Sequence, residues 1–263
     1  MQLIDSHCHL DFAQFDHDRD EVLARCRALD INHIIIPGVR SASWDMMIKI
    51  CQQPDMLHYA LGLHPMFMQD HSENDIARLR DYVNRYNPVA IGEIGLDFYL
   101  KDHNKNNQIN LFEQQLNIAS EMQLPVILHV RKAHEHTIAL LKKHTINKGI
   151  VHAFSGSLEQ AHQYIKQGFL LGVGGVITYP NAHRVRRLYA ELPLSNLALE
   201  TDAPDMPLHG MSRDQRNSPD KIADILSQLC QLRGETGEQI ANATTQNVQQ
   251  LLRWHREIGN RLL

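Results

Sequence analysis

Ile4-Asp5-Ser6-His7-Cys8-His9 closes the first apolar run of the chain, and four later apolar runs also end on acid or imidazole side chains. These are Val89-Ala90-Ile91-Gly92-Glu93, Val126-Ile127-Leu128-His129, Ile150-Val151-His152 and Leu197-Ala198-Leu199-Glu200-Thr201-Asp202. Apolar runs this short read as strands buried on both faces, as in parallel sheet. A histidine or carboxylate at the end of one buried strand is ordinary. Five such ends in one chain select a fold that gathers them.

Working outward from these ends, strands are expected at Leu3–Asp5, His33–Pro37, Tyr59–Leu63, Val89–Glu93, Val126–His129, Ile150–His152, Phe169–Val173 and Leu197–Glu200. Amphipathic helical patterns fall between them near Asp18–Asp30, Ala42–Cys51, Glu73–Tyr86, Gln108–Met122, Ala133–His144, Leu158–Gln167 and Asn181–Glu191. Two more follow near Pro219–Leu232 and Glu238–Arg253, and Ser157-x-x-Gln160 has the spacing of a capping box. Eight strands alternating with helices, with no linker-like segment, predict a single-domain (β/α)8 TIM barrel over residues 1–263 with an extra C-terminal helix. A doubly wound open sheet is the rival. It fits less well, because only a closed ring brings the ends of strands 1, 4, 5, 6 and 8 to one mouth. The glycine-rich Leu171-Gly172-Val173-Gly174-Gly175 lacks a dinucleotide-binding continuation and reads as strand seven with its turn.

Composition narrows the function classes. The chain has 263 residues, 43% of them hydrophobic and 21% charged, enough to bury a substantial core. A net charge of −4 excludes a broad basic surface, so a nucleic-acid substrate would be held locally, at an end or over a few nucleotides. The four cysteines, Cys8, Cys26, Cys51 and Cys230, form no C-x-x-C pair, which points away from a disulfide frame and towards a cytoplasmic location. No signal-peptide pattern or membrane-length apolar run occurs in the sequence given, and a monomer with no obligate protein partner is expected. The 17 histidines exceed the needs of one site, and His58, His71, His144 and His255 are expected at the surface.

His7, His9, Glu93, His129, His152 and Asp202 are the candidate metal ligands, four imidazoles and two carboxylates. His7 and His9 lie two residues apart on an extended segment, about 6.6 Å between Cα atoms, a span that two imidazoles close around one ion. Taken singly, Glu93 and Asp202 would read as capping or ion-paired carboxylates, and His129 and His152 as hydrogen-bonded barrel histidines. Their joint placement on five strand ends favours ligation. Six ligands exceed the needs of one tetrahedral ion and favour two ions sharing a carboxylate. Glu93, between the other groups in ring order, is the leading bridging candidate, a choice that spacing leaves open.

The chain resembles the TatD family of metal-dependent hydrolases and deoxyribonucleases. The resemblance is carried by Leu3-Ile4-Asp5-Ser6-His7-Cys8-His9-Leu10-Asp11, Gly62-Leu63-His64-Pro65, Gly92-Glu93-Ile94-Gly95-Leu96-Asp97, Pro125-Val126-Ile127-Leu128-His129-Val130-Arg131, Val151-His152-Ala153-Phe154-Ser155-Gly156 and Leu199-Glu200-Thr201-Asp202-Ala203-Pro204. It runs in order through the whole chain, with no departure at a ligand position. It implies a TIM barrel in which His7, His9, Glu93 and Asp202 bind one ion and Glu93, His129 and His152 another. It also implies phosphodiester hydrolysis of DNA; with a net charge of −4, a 3′-5′ exonuclease acting on single strands or ends is expected.

In such a site Asp202 is expected to orient the attacking water and take its proton as general base, with Glu93 as the second catalytic carboxylate. Arg131, two residues past His129, could hold a phosphate through its planar fork; its alternative is a surface arginine before the next helix. Backbone amides at Ser155 and Gly156 could bind an anion, although a helix cap also explains that segment. His64 could touch substrate or leaving group, or be structural. The nitrogen-rich set favours zinc, manganese, iron or nickel over magnesium, which the resemblance nevertheless allows. Two rival functions remain. One is a metal-dependent ester or amide hydrolase, such as an aminoacyl-tRNA deacylase. The other is a barrel that binds metal without turnover. The amide version is weakened because Glu93 stands where many barrel amidohydrolases carry a modified lysine.

Overall fold

The computed structural model describes residues 2–52, 54–100, 104–212 and 214–254. Among them eight parallel strands appear: β1 (Leu3–Asp5), β2 (Ile31–Pro37), β3 (Leu57–Ala60), β4 (Ile91–Asp97), β5 (Val126–Arg131), β6 (Gly149–Val151), β7 (Phe169–Val173) and β8 (Leu197–Leu199). Strands β1–β3 pair in one ladder and β4–β8 in another, each in chain order. The two ladders meet at a bridge between Leu61 and Ile91. At the other junction Ser6 N–H donates to Leu199 O and Asp202 N–H to His7 O, so β8 returns to β1. The result is a nearly closed (β/α)8 barrel.

Nine helices of eight residues or more surround it among the described residues: α1 (Arg19–Ala28), α2 (Trp44–Cys51), α3 (Asp75–Tyr86), α4 (Lys105–Met122), α5 (His134–Lys143), α6 (Leu158–Lys166), α7 (His183–Glu191), α8 (Ile222–Leu232) and α9 (Gly237–Leu252). The expected capping box at Ser157 and Gln160 starts α6, and Thr236 with Gln239 forms a second at α9. None of the helices is long and apolar enough to cross a membrane.

Ile4, Ile35, Ala60, Ala90, Ile127, Ile150, Leu170 and Ala198 form one buried cluster, one residue from each strand or its lead-in, closed by Val248 of α9. That layer fills the barrel and the C-terminal helix caps its lower end. Side chains alternate along a strand, so a residue two positions on faces the same interior one layer higher. Hence His129 rises above Ile127, His152 above Ile150 and Glu200 above Ala198. Packing below thus dictates which face of each strand carries chemistry.

Two strand assignments shift by more than two residues. β3 runs over Leu57–Ala60 where Tyr59–Leu63 was expected. β4 does not stop at Glu93 but continues to Asp97, pairing Gly95 with His129 and Asp97 with Arg131. The extension is possible because Ile94, Leu96 and Asp97 are all buried, and because Gly95 has φ +145 and stands against the His129 carbonyl, where a Cβ would come within 1.9 Å. Glu93 therefore lies mid-strand, beside a register irregularity between Ile91 and Ile94. The expected surface histidines also move. His58 is half-buried, 2.9 Å from His33 and stacked near Trp254; His71 donates to His64 O at 2.9 Å, and His144 lies 3.1 Å from Glu113. The partners of His58 and His144 are distant in sequence, 25 and 31 residues away, which single-residue reading does not supply. His255 lies outside the described residues.

Candidate metal centre

The other five expected ligands gather around Glu93, which is 2% exposed at the upper end of the barrel. Its two oxygens face different groups. Oε2 lies 3.2 Å from His7 Nε2 and 3.5 Å from His9 Nε2. Those two nitrogens are 3.3 Å apart and stand 3.5 and 3.7 Å from Asp202 Oδ1. Oε1 lies 2.9 Å from His152 Nε2, 3.2 Å from His129 Nδ1 and 3.1 Å from His64 Nε2. His129 Nδ1 and His152 Nε2 are 3.2 Å apart.

These spacings test whether divalent ions fit. Four ligands at about 2.1 Å around a tetrahedral ion are about 3.4 Å from one another, and the atoms above span 2.9–3.7 Å. Burial also holds His7 down to about 3 and His9 down to about 4, each the neutral imidazole that a metal takes. Two buried neutral imidazole nitrogens crowd one carboxylate oxygen and each other, a cluster of nitrogen and oxygen donors that a cation between them would satisfy. The donor set fits.

Charge is distributed unevenly across the cluster. Burial opposes ionisation of Glu93, but His64, His152 and His7 around it outweigh burial and keep its carboxyl well below the usual range. Burial acts against the His152 cation too, yet contact with Glu93 pushes His152 up to about 10. Asp202 is pushed up to about 7 by burial and by neighbouring Glu93. Asp202 also has a left-handed backbone, φ 56, as does Ala153 beside His152, φ 43. Non-glycine residues in that region carry strain and collect at functional sites.

Several supports were not evident in the sequence. Asp5, fully buried, accepts hydrogen bonds from His7 N at 3.2 Å, Thr201 N at 3.0 Å and Thr201 Oγ1 at 2.5 Å. It ties the ends of β1 and β8 together and so sets His7 opposite Asp202. Its place in Ile4-Asp5-Ser6-His7 was the available signal. Buried Glu200 accepts from Ala153 N. A Cβ on Gly172 would come within 2.1 Å of Glu200 Oε2, so the glycine in the 171–175 run makes room for a carboxylate. Asp97 bonds His129, and Asp205 lines the same pocket as Asp202.

The pocket over the cluster has a volume of about 110 Å³, with Phe12, Val39, Met66 and Phe67 on its apolar side. His64 lines it. The other expected substrate residues lie farther out. The Arg131 guanidinium sits 3.8 Å over the Tyr99 ring and is exposed. Ser155 is exposed and Gly156 buried, and their carbonyls accept from Arg184. None of the three lines the pocket. A larger hollow of about 920 Å³ opens around His33, His58 and Trp254, away from the convergent ligands.

The sequence pattern of the family described as TatD related DNase matches residues 4–253. The chain belongs to the TatD family. It is 40% identical to YjjV of Escherichia coli (strain K12), named an uncharacterized metal-dependent hydrolase, over 94% of this chain and 96% of that one. The crystal structure of YjjV superposes with a TM-score of 0.91 over 95% of this chain and 97% of its own. A Cronobacter sakazakii relative named 3′-5′ ssDNA/RNA exonuclease TatD is 32% identical over 91% of this chain and 93% of its own. This TatD-family chain is accordingly a metal-dependent hydrolase.

Proposed function

We propose that this TatD-family chain hydrolyses phosphodiester bonds at the ends of single-stranded DNA with two divalent ions. The observation that carries the reading is the division of labour within Glu93: one oxygen faces His7 and His9, the other His129 and His152. A carboxylate so placed would bridge two ions, and paired ions would suit in-line displacement at phosphorus. The ions would supply Lewis acidity and a water ionising near neutral pH.

The residues divide the remaining work. Glu93, 2% exposed and approached by five imidazoles, holds the centre together. Asp202, with a side chain 14% exposed and lining the pocket, is the carboxylate placed to orient a water and accept its proton. Phe12, Val39, Met66 and Phe67 exclude water from one side. Arg131, exposed and stacked on Tyr99 outside the pocket, is the residue whose fork would take a phosphate further along the strand.

A net charge of −4 limits the grip to a few phosphates, which favours strand ends over wrapped duplex. The name of the Cronobacter sakazakii relative agrees with that substrate. The test is the purified protein loaded with Mn2+ or Zn2+, offered a linear single-stranded oligonucleotide, the same sequence as a circle, and a neutral carboxylic ester. Stepwise shortening of the linear strand with the circle spared is expected. Its KM should show a log–log salt slope no steeper than about −2, from about 0.7 per phosphate over one to three contacts. Ester turnover without cleavage of DNA would replace the reading with an ester hydrolase such as a deacylase; efficient cutting of the circle would replace the end-directed one.

A further inference from the structure

His64 and His129 both point a ring nitrogen at Glu93 Oε1, at 3.1 and 3.2 Å, and look equivalent by distance. Their far nitrogens are held in opposite ways. His64 Nδ1 accepts a hydrogen bond from Met66 N at 3.0 Å. A backbone N–H can only donate, so the neutral ring carries its proton on Nε2. That Nε2–H then points at Glu93 Oε1 as a donor. In His129 the far nitrogen is Nε2, 3.1 Å from Asp97 Oδ2. Its Nδ1 lies 3.2 Å from both Glu93 Oε1 and His152 Nε2, so a carboxylate stands at each ring nitrogen. On the two-ion reading an ion takes the Nδ1 lone pair, and the ring's proton then sits on Nε2, where Asp97 accepts it.

Both locks are built in. Asp97 is fully buried, and its other oxygen accepts from Tyr99 N at 2.9 Å. Its own backbone is clamped by Gln108, which accepts from Asp97 N at 2.8 Å and donates to Asp97 O at 3.0 Å. On the other side, the turn Pro65–Phe67 follows His64 directly and presents Met66 N to the ring, and His64 is 5% exposed. Neither imidazole can flip without breaking a buried hydrogen bond.

We infer that His64 is a fixed N–H donor to the Glu93 carboxylate and not a ligand, and that Asp97 is the positioning residue that holds His129, a ligand on the two-ion reading, with its Nδ1 toward the centre. The inference rests on the two-ion reading of the centre. It separates two histidines that proximity alone would count together. His64 ligating through Nε2 would have to put its proton on Nδ1, against the Met66 amide. A donor to Oε1 instead holds the shared carboxylate in orientation. Orienting groups of the Asp97 kind are worth about 10–100-fold in metal affinity.

The test is a chelator-competition titration with Zn2+ alone, which needs no substrate. The unsubstituted protein should bind two ions. Asp97→Ala should weaken one ion about 10–100-fold and leave the other unchanged. His64→Ala and His64→Asn should both still bind two ions, with the two affinities weakened together by about tenfold, because the carboxylate they share loses its donor. A long-range 15N–1H spectrum of histidine-labelled, Zn2+-loaded protein gives the readout that does not depend on variants folding. It should show His64 neutral with its proton on Nε2, and His129 with its proton on Nε2 and its Nδ1 shifted by metal. Loss of an ion in His64→Ala, or a proton on His64 Nδ1, overturns the assignment of His64. Unchanged affinities in a folded Asp97→Ala protein overturn that of Asp97. Fewer than two ions in the unsubstituted protein is a different failure, that of the two-ion reading beneath both.

Discussion

Replacing Glu93 by glutamine should abolish the effect of metal on thermal stability in full, not by half. The two oxygens of Glu93 serve separate nitrogen clusters, His7 and His9 on Oε2, His129 and His152 on Oε1. A glutamine keeps the volume but supplies one weak neutral oxygen and an N–H pair that confronts imidazole lone pairs on the other side. Each ion bound at 100 times its dissociation constant stabilises the folded chain by about 2.7 kcal/mol, so two give about 5 kcal/mol. For a chain of this size about 1 kcal/mol moves Tm by about 2–4 °C, which makes the metal-induced rise about 10–20 °C. Scanning fluorimetry with chelator and then with titrated Zn2+ measures it. The expected result is that rise in the unsubstituted protein, about half of it in His152→Gln, and almost none in Glu93→Gln. If Glu93→Gln kept half the rise, one ion would be held without this carboxylate and the bridging argument would fail.

Asp202→Asn should lower kcat by about 10²–10⁴, because an amide cannot take a proton from water; near-normal turnover at full metal content would refute Asp202 as base. Arg131→Ala should raise KM for a phosphodiester about tenfold, the loss of one charged hydrogen bond, and spare a neutral ester; equal losses on both would make the Arg131–Tyr99 stack structural. Burial and the facing His33 hold His58 down to about 4, against an ordinary 6.5. Its folded value is depressed, so the unfolded chain binds more protons between these values and stability falls as pH drops from about 6.5 to about 4, with a ceiling of about 3 kcal/mol. Denaturation in chelator across that window should show His58→Asn losing less stability than the unsubstituted chain, and parallel losses would refute the assignment.

What could be read from the sequence followed periodicity. The barrel, its nine helices and the convergence of six ligands on one mouth follow from short apolar runs and from what ends them. Those features are local, and a buried strand must commit its alternate side chains to one interior. Where the reading slipped, the deciding contact was distant in sequence. The length of β4 depends on Gly95 admitting the His129 carbonyl and on Asp97 pairing with Arg131, both across to the next strand. Asp5 has no role legible in its own segment, because two of its donors come from Thr201, almost two hundred residues later. His58 and His144 seemed isolated because their partners, His33 and Glu113, come from other elements. The same limit applies to His64 and His129. Both are histidines at the upper ends of the strands that flank β4, and their residue type cannot say which nitrogen carries the proton. That depends on whether the far nitrogen meets an amide or a carboxylate, Met66 N or Asp97 Oδ2. Sequence locates a ring of potential ligands. Which of them offers a lone pair is decided by the group behind it.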